Sequence, residues 1–152
     1  MYNEQTWKEG ELIAQKYMES IGYKIMYTNF SCVGVELDIV AILPKRVQIK
    51  KLKQEYKQKI KNAKLFKTKQ ILRKSFKNFA KTLNDLVVIT EVKARRSGKF
   101  GNGADAVNES KQMHIKRGAE YISKMSQFKD MLIRFDVASV DSGKITYIEG
   151  AF

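Results

Sequence analysis

The sequence predicts an α/β (α+β) protein: a mixed β-sheet flanked by helices, with a basic helical hairpin protruding from it. Three observations carry this. LVVI (Leu86–Ile89) is a continuous, β-branched-rich apolar run of the kind buried on both faces of a sheet, and VELDIVAIL (Val35–Leu43) alternates with period two. Two other stretches, one at the start of the chain and one from about Asn108 to Met125, instead carry apolar residues at helical spacing. Between the two strands, residues 45–84 contain no Gly and no Pro, with apolar residues three and four apart.

The first element is a helix. Thr6-Trp-Lys-Glu9 has the form of a capping box, Gly22 is placed to stop the helix, and Trp7, Glu11, Ala14, Met18 and Ile21 trace an inward face. A short strand follows over Tyr23–Asn29. Then comes Val35–Leu43, ended by Pro44, where alternation puts Glu36, Asp38, Val40 and Ile42 on one face and Leu37, Ile39 and Ala41 on the other. After the strand at Leu86, RRSGKFGNG reads as a Gly-rich basic loop, and a helix is expected from about Asn108 to Met125. IRFDVASV and KITYIEGAF read as two strands joined by a Ser-Gly turn. The order is α-β-β-(insert)-β-α-β-β, one domain over residues 1–152, and there is no internal repeat.

The insert, residues 45–84, holds 15 Lys+Arg and one acid, whereas the whole chain carries +13. Its net +14 leaves a body at −1, so the basic character is confined to one segment that points to a polyanion. Ile49, Leu52, Tyr56, Ile60 and Ala63, then Leu72, Phe76, Phe79 and Leu83, make it amphipathic helix rather than a disordered tail. A single helix of about 35 residues would end about 50 Å from its start. Flanking strands that pair as neighbours require two antiparallel helices, turning near Asn62–Thr68. Tyr and Phe residues here are expected as core between the helices rather than as base-stacking platforms.

Several classes are excluded. No apolar run approaches the roughly 18–20 residues that span a bilayer. The polar, acidic start MYNEQTWKEGE is expected to be neither a secretory signal nor a transit peptide, which makes the cytoplasm the expected compartment. A lone Cys32 rules out an internal disulfide and a cysteine zinc site and is expected as a small buried filler. His114 is the one histidine, so a His-based triad or metal site is out. Asp136 is expected to pair with a neighbour such as Arg134.

Glu91 and Lys93 interrupt the buried strand on the same face as Val87 and Ile89, about 6–7 Å apart along it. Taken alone they read as a surface ion pair at a strand end. Asp38 and Glu11, however, also lie at inward positions of regular elements. A carboxylate such as Glu11 is either a snorkelling edge residue or a ligand. Taken together, three acids and a lysine match metal-assisted phosphodiester hydrolysis. A hard divalent cation needs carboxylate oxygens with positions open to water and phosphate. A nearby lysine can then orient the attacking water or offset charge on the phosphoryl group.

An acid on the first helix followed by D…EVK on adjacent strands resembles the PD-(D/E)XK nuclease superfamily. More closely, GELIAQKYMESIGYKI, VELDIVAI, VITEVKARRSGKFG, DAVNESKQ, RFDV and the terminal IEGAF, in that order, resemble the YraN-type family of bacterial proteins, similar to Holliday-junction resolvases. The resemblance covers nearly all the chain outside 45–84. It implies a restriction-endonuclease-like core with Asp38 and Glu91 as ligands of Mg²⁺ (or Mn²⁺), the Val92 carbonyl as a third ligand, and Lys93 as the catalytic lysine. Glu11 would complete or tune the site, and Glu36 is an additional candidate acid for a second ion or a water. Arg95, Arg96, Lys99 and Lys111 are candidates for phosphate contact; for Lys111 a snorkelling role is an equal reading. The basic insert stands where the family pattern has a tight turn, and Val35-Glu36 stands where it has Gly-Glu.

The expected function is a divalent-metal-dependent endonuclease acting on DNA, with branched DNA or junctions as candidate substrates and a homodimer expected by analogy with resolvases. Two other readings stay open. One is a nucleic-acid-binding protein that uses the basic insert without cleaving. The other is a scaffold whose insert is a coiled-coil arm.

Overall fold

The computed structural model describes residues 4–95 and 107–152. Its elements run α1 (Glu4–Ser20), β1 (Lys24–Cys32), β2 (Val35–Leu43), α2 (Lys45–Asn62), α3 (Phe66–Thr82), β3 (Leu86–Arg95), α4 (Glu109–Ser123), β4 (Leu132–Asp141) and β5 (Lys144–Ile148), with a short 3₁₀ turn at Ser126–Phe128. The expected order is therefore the observed one. The five strands form a single mixed sheet in the order β1-β2-β3-β4-β5. β3 and β4 are parallel, and the other neighbours are antiparallel. The parallel pair needs a crossover, which α4 supplies.

Each face of the sheet has its own core. Ala14 and Met18 of α1 pack on Ile39, Ala41, Val88, Val92 and Ala138. Ile115, Ala119 and Ile122 of α4 pack on the other face with Leu37, Val40, Val87, Ile89 and Val137. Cys32 packs half-buried against that second core. At the end of α1, Tyr23 N–H donates to the Met18 carbonyl and Gly22 N–H to that of Glu19, with Gly22 at φ +96°. This is a Schellman cap, and it ends the helix where the sequence placed the stop.

The start of α1 departs from expectation. Thr6 lies inside the helix, which already runs at Glu4, so the Thr6–Glu9 capping box does not form. The Thr6 side chain is buried instead, and its hydroxyl has no partner among the described residues. The buried seam is Thr6, Gly10, Ala14 and Met18, while Trp7 is 39% exposed. Gly10 explains the rotation. A Cβ there would lie 2.5 Å from the Ala94 Cβ, so only glycine lets the helix approach β3 this closely. Ala14 and Met18 lie on the expected face, while in the first two turns Thr6 and Gly10 take the buried positions expected of Trp7 and Glu11, because a glycine carries no hydrophobic signal in the sequence.

Both short hairpins turn on paired positive-φ residues, Val33-Gly34 between β1 and β2 and Ser142-Gly143 between β4 and β5. β1 runs three residues past the expected Asn29 to reach its turn. The insert is two helices joined by residues 63–65, and Tyr56 meets Phe76 across them with ring centroids 5.6 Å apart. Its root is held by side chains the sequence reading did not single out. The Asp85 carboxylate accepts from Lys45 N–H at 2.7 Å, capping α2 where Pro44 has no side chain to offer. Gln48 Nε2 bridges the Leu43 and Asn84 carbonyls. Among the described residues, no helix is long and apolar enough to cross a membrane.

Candidate active site

β2 and β3 pair from Leu43↔Leu86 to Ile39↔Thr90, and there the ladder stops. One residue further on, the Asp38 carboxylate turns into the gap and accepts from Val92 N–H at 2.7 Å. Strict alternation on β2 fails at the same place. Leu37 packs with α4 although Ile39, two residues later, packs with α1. The expected pairing of faces therefore holds from Ile39 onward and is corrected at Leu37. The N–H and C=O of one strand residue point toward the same neighbour. The Val92 carbonyl thus looks into the opening where Asp38 replaces a ladder partner.

Glu91 is buried at 8% exposure on the α4 face of β3, the face of Val87 and Ile89. Lys111 Nζ, from the first turn of α4, sits 3.1 Å from its carboxylate. Lys111 therefore does more than snorkel: it balances the one buried acid of that strand. Asn108 fixes this turn, its side chain accepting from Lys111 N–H at 2.9 Å. Lys93 follows Glu91 by two residues, on the same face by alternation, and is half-buried.

Asp38 stands half-buried among like charges. Burial first, then the Glu91 charge, push its carboxyl up to about 7, with Glu11 adding to the rise. The Val92 N–H and the Lys111 charge pull the other way without cancelling it. Glu11 is thus close enough to be felt at Asp38, although it belongs to the helix on the opposite face. Its carboxylate is half-buried and accepts from Asn29 Nδ2 at 2.9 Å. Asn29, at φ +50°, is a site residue the sequence reading missed. Its signal was available, since asparagine is depleted in strands.

The other candidates are spread wider. Glu36 is exposed opposite Ser31 of β1. Arg95 ends β3, where its carbonyl accepts from Ser142 N–H. Arg96 and Lys99 lie outside the described residues. His114 is exposed on α4.

Among the described residues, no group of three or more His, Cys, Asp or Glu side chains is placed to hold a metal ion. The donors that do converge, two carboxylates and the Val92 carbonyl side of the opening, are hard oxygens. That set fits Mg²⁺, which keeps several of its waters and is commonly held by one or two carboxylates. The raised Asp38 carboxyl fits it too, because a cation is what would offset a buried acid beside two others.

Asp136 behaves as expected, pairing with Arg134 through Nε at 2.7 Å and a second nitrogen at 2.6 Å. It is fully buried and also accepts from Tyr147 Oη at 2.7 Å and Gly150 N–H at 2.9 Å. Thr90 and Tyr147 hydroxyls lie 3.1 Å apart, and because Tyr147 already donates to Asp136, Thr90 is the donor between them. Arg134 in turn donates to Tyr23 Oη. Burial pushes the Tyr23 hydroxyl up to about 12 against the pull of the Arg134 charge, with Glu149 and Asp136 adding to the rise. This network sits on the α1 side of the sheet and anchors β3 to β4 and β5. Its saturated hydrogen bonding marks it as structural.

Fold and site together define a mixed α/β protein with an acid–lysine cluster at the point where two central strands part. The chain belongs to the uncharacterised protein family UPF0102, whose model matches residues 10–140. It is 33% identical over 145 residues to a UPF0102 protein of Thermodesulfovibrio yellowstonii, covering 95% of this chain and 93% of that one. A UPF0102 protein of Phocaeicola vulgatus is 32% identical over 150 residues, with 95% and 89% covered. One of Caldicellulosiruptor saccharolyticus is 29% identical over 140 residues, with 92% and 85% covered. The matched span includes Glu11, Asp38, Glu91, Lys93 and Lys111.

Proposed function

We propose that this chain is a divalent-metal-dependent endonuclease that hydrolyses DNA phosphodiesters, with branched DNA as its preferred substrate. The observation that carries this reading is the half-buried Asp38 carboxyl set into the end of the β2–β3 ladder beside Glu91. Pushing an acid that far out of its ordinary range disfavours the apo protein, and such strain is characteristic of sites with a chemical task.

In this reading Asp38, Glu91 and the Val92 carbonyl hold Mg²⁺ or Mn²⁺, and Glu11 tunes Asp38 from the helix. A divalent ion so held would acidify a bound water and neutralise charge on the phosphoryl group. Lys93 donates from its ammonium to the attacking water or to a non-bridging phosphate oxygen. Lys111 balances Glu91 in the metal-free protein, and a cation held at Glu91 would free it to contact a phosphate. The insert, at net +14, holds the phosphodiester backbone in a salt-sensitive, sequence-independent way. Symmetric cutting of a junction requires two copies.

The insert's charge also favours a second reading, a DNA-binding protein that does not cut. One experiment separates the two. The purified protein is incubated with linear, flap and four-way DNA in Mg²⁺ or Mn²⁺, alongside Glu91→Gln and Lys93→Ala. Cleavage that falls about 100-fold or more in both variants, with binding retained, supports the nuclease. Intact substrates of every shape, bound by the wild type, leave only the binding role.

A further inference from the structure

The hairpin's large apolar side chains fall mainly into two sets, with Ile71 exposed on α3 outside both. Leu52, Tyr56, Ile60, Leu72 and Phe76 are half-buried at the seam between α2 and α3, and this seam holds the hairpin together. Leu65 and Phe66 are the other set. They stand at the turn, both 70% exposed, the most exposed large apolar residues of the insert. Phe79, also exposed, belongs to the root, where it lines a cavity with Val47 and Leu83. Around the tip, Lys61, Lys64 and Lys67 are all exposed. An adjacent pair of bulky apolar side chains, ringed by cations at the end of a helical arm, gains nothing for the fold.

We propose that Leu65 and Phe66 form a wedge that enters DNA between base steps whose stacking is already broken, at a junction, flap or gap, while the surrounding lysines hold the flanking phosphates. This rests on the reading that the chain acts on DNA. Charge complementarity selects a polyanion. A membrane surface fits poorly. A helix lying on lipid needs a broad apolar face, whereas α2 and α3 turn their main apolar faces toward each other, α2 exposes no large apolar residue, and beyond the tip α3 exposes Ile71 and Phe79 about two turns apart rather than a continuous face. A second copy's tip would bring lysine against lysine. Duplex DNA matches the pattern, because apolar wedges inserted from a cationic surface unstack base steps. The unstacking cost is smallest where pairing or stacking is already interrupted. A wedge therefore confers preference for discontinuities without reading any base.

The dimensions allow one DNA to reach both sites. The hairpin roots at Leu43 and Leu86, five residues along the strands from Asp38 and Glu91, or roughly 17 Å. The 18-residue α2 adds about 27 Å. The tip is thus within roughly 45 Å of the carboxylates, about 13 base pairs at 3.4 Å each.

The test uses the full chain as Asp38→Asn in EDTA, so that binding is read without cleavage. Its partners are a four-way junction with 2-aminopurine at the branch point and a continuous duplex of equal length. The expected result is a fluorescence rise on the junction. In L65A/F66A that rise is lost and junction affinity falls about ten-fold, with duplex affinity and salt slope unchanged. Phe66→Trp retains the response. K64Q/K67Q weakens both DNAs alike and lowers the salt slope by about two. Circular dichroism of L65A/F66A should match the parent, since both side chains are mostly in solvent.

Junction preference and fluorescence that survive L65A/F66A overturn the wedge. So does tighter binding of phosphatidylglycerol vesicles than of the junction, abolished by the same variant, or a dimer that dissociates on L65A/F66A. If the wild type cuts nothing in Mg²⁺ yet the fluorescence response stands, the wedge is supported and the nuclease reading falls. Cleavage with no response sinks the wedge alone.

Discussion

Replacing Asp38 with Asn should stabilise the metal-free protein at neutral and alkaline pH. The native state holds the Asp38 proton up to about 7, because burial and the Glu91 charge oppose ionisation, whereas the ordinary carboxyl titrates at 3.8. The folded pKa is the higher one, so the folded state binds more protons between those values and stability falls as pH rises through that window. Below about 4 both states are protonated and the cost vanishes. Above about 7 it is complete, with a ceiling of about 4 kcal/mol at 1.36 kcal/mol per pH unit. Asparagine keeps an oxygen for Val92 N–H and carries no charge, so a gain of about 1–3 kcal/mol is expected at pH 8 and almost none at pH 4. Urea denaturation of both proteins at the two pH values measures it, and the difference between them cancels the titrating groups that do not sense Asp38. Millimolar Mg²⁺ should then reverse the order by stabilising the wild type alone. An Asn variant less stable than the wild type at pH 8 in EDTA would refute the account of Asp38.

Three further outcomes follow from the fold. Val33 holds φ +45° at a hairpin turn, which a β-branched residue tolerates poorly, so Val33→Asn should raise stability by about 1 kcal/mol in thermal or urea unfolding. Asp136→Ala strips Arg134, Tyr147 and Gly150 N–H of their shared acceptor and should cost about 3–5 kcal/mol, enough to lower Tm sharply. Gly10→Ala places a methyl against Ala94, and the resulting shift of α1 should cost about 1–3 kcal/mol. It should also reduce the proposed nuclease activity through the neighbouring Glu11, which a cleavage assay reads separately from melting.

Much of this was legible because single elements carried redundant signals. β2 ends at Pro44 and β3 begins with four consecutive apolar residues, and both bounds match the sequence reading. The helical hairpin followed from chain geometry, since a 40-residue excursion between paired strands has to return. What the sequence concealed depends on contacts between distant segments. Thr6 looks like a cap until Gly10 is seen to draw α1 against Ala94. Asp38 obeys alternation on paper, yet the strand changes parity there, where its carboxylate accepts from a backbone donor on β3. Asp85 caps a helix forty residues earlier, and no local pattern announces that. The acids were found because charge on a buried strand is costly wherever it points. Their partners, Lys111 for Glu91 and Asn29 for Glu11, emerge only from the fold.

The most direct test is where a metal goes. Crystals of the protein soaked in Mn²⁺ should show one anomalous peak between Asp38 and Glu91, against the Val92 carbonyl, absent from Asp38→Asn crystals. A peak that forms elsewhere, or none at millimolar Mn²⁺, would contradict the assignment of this opening in the sheet as a metal-dependent active site.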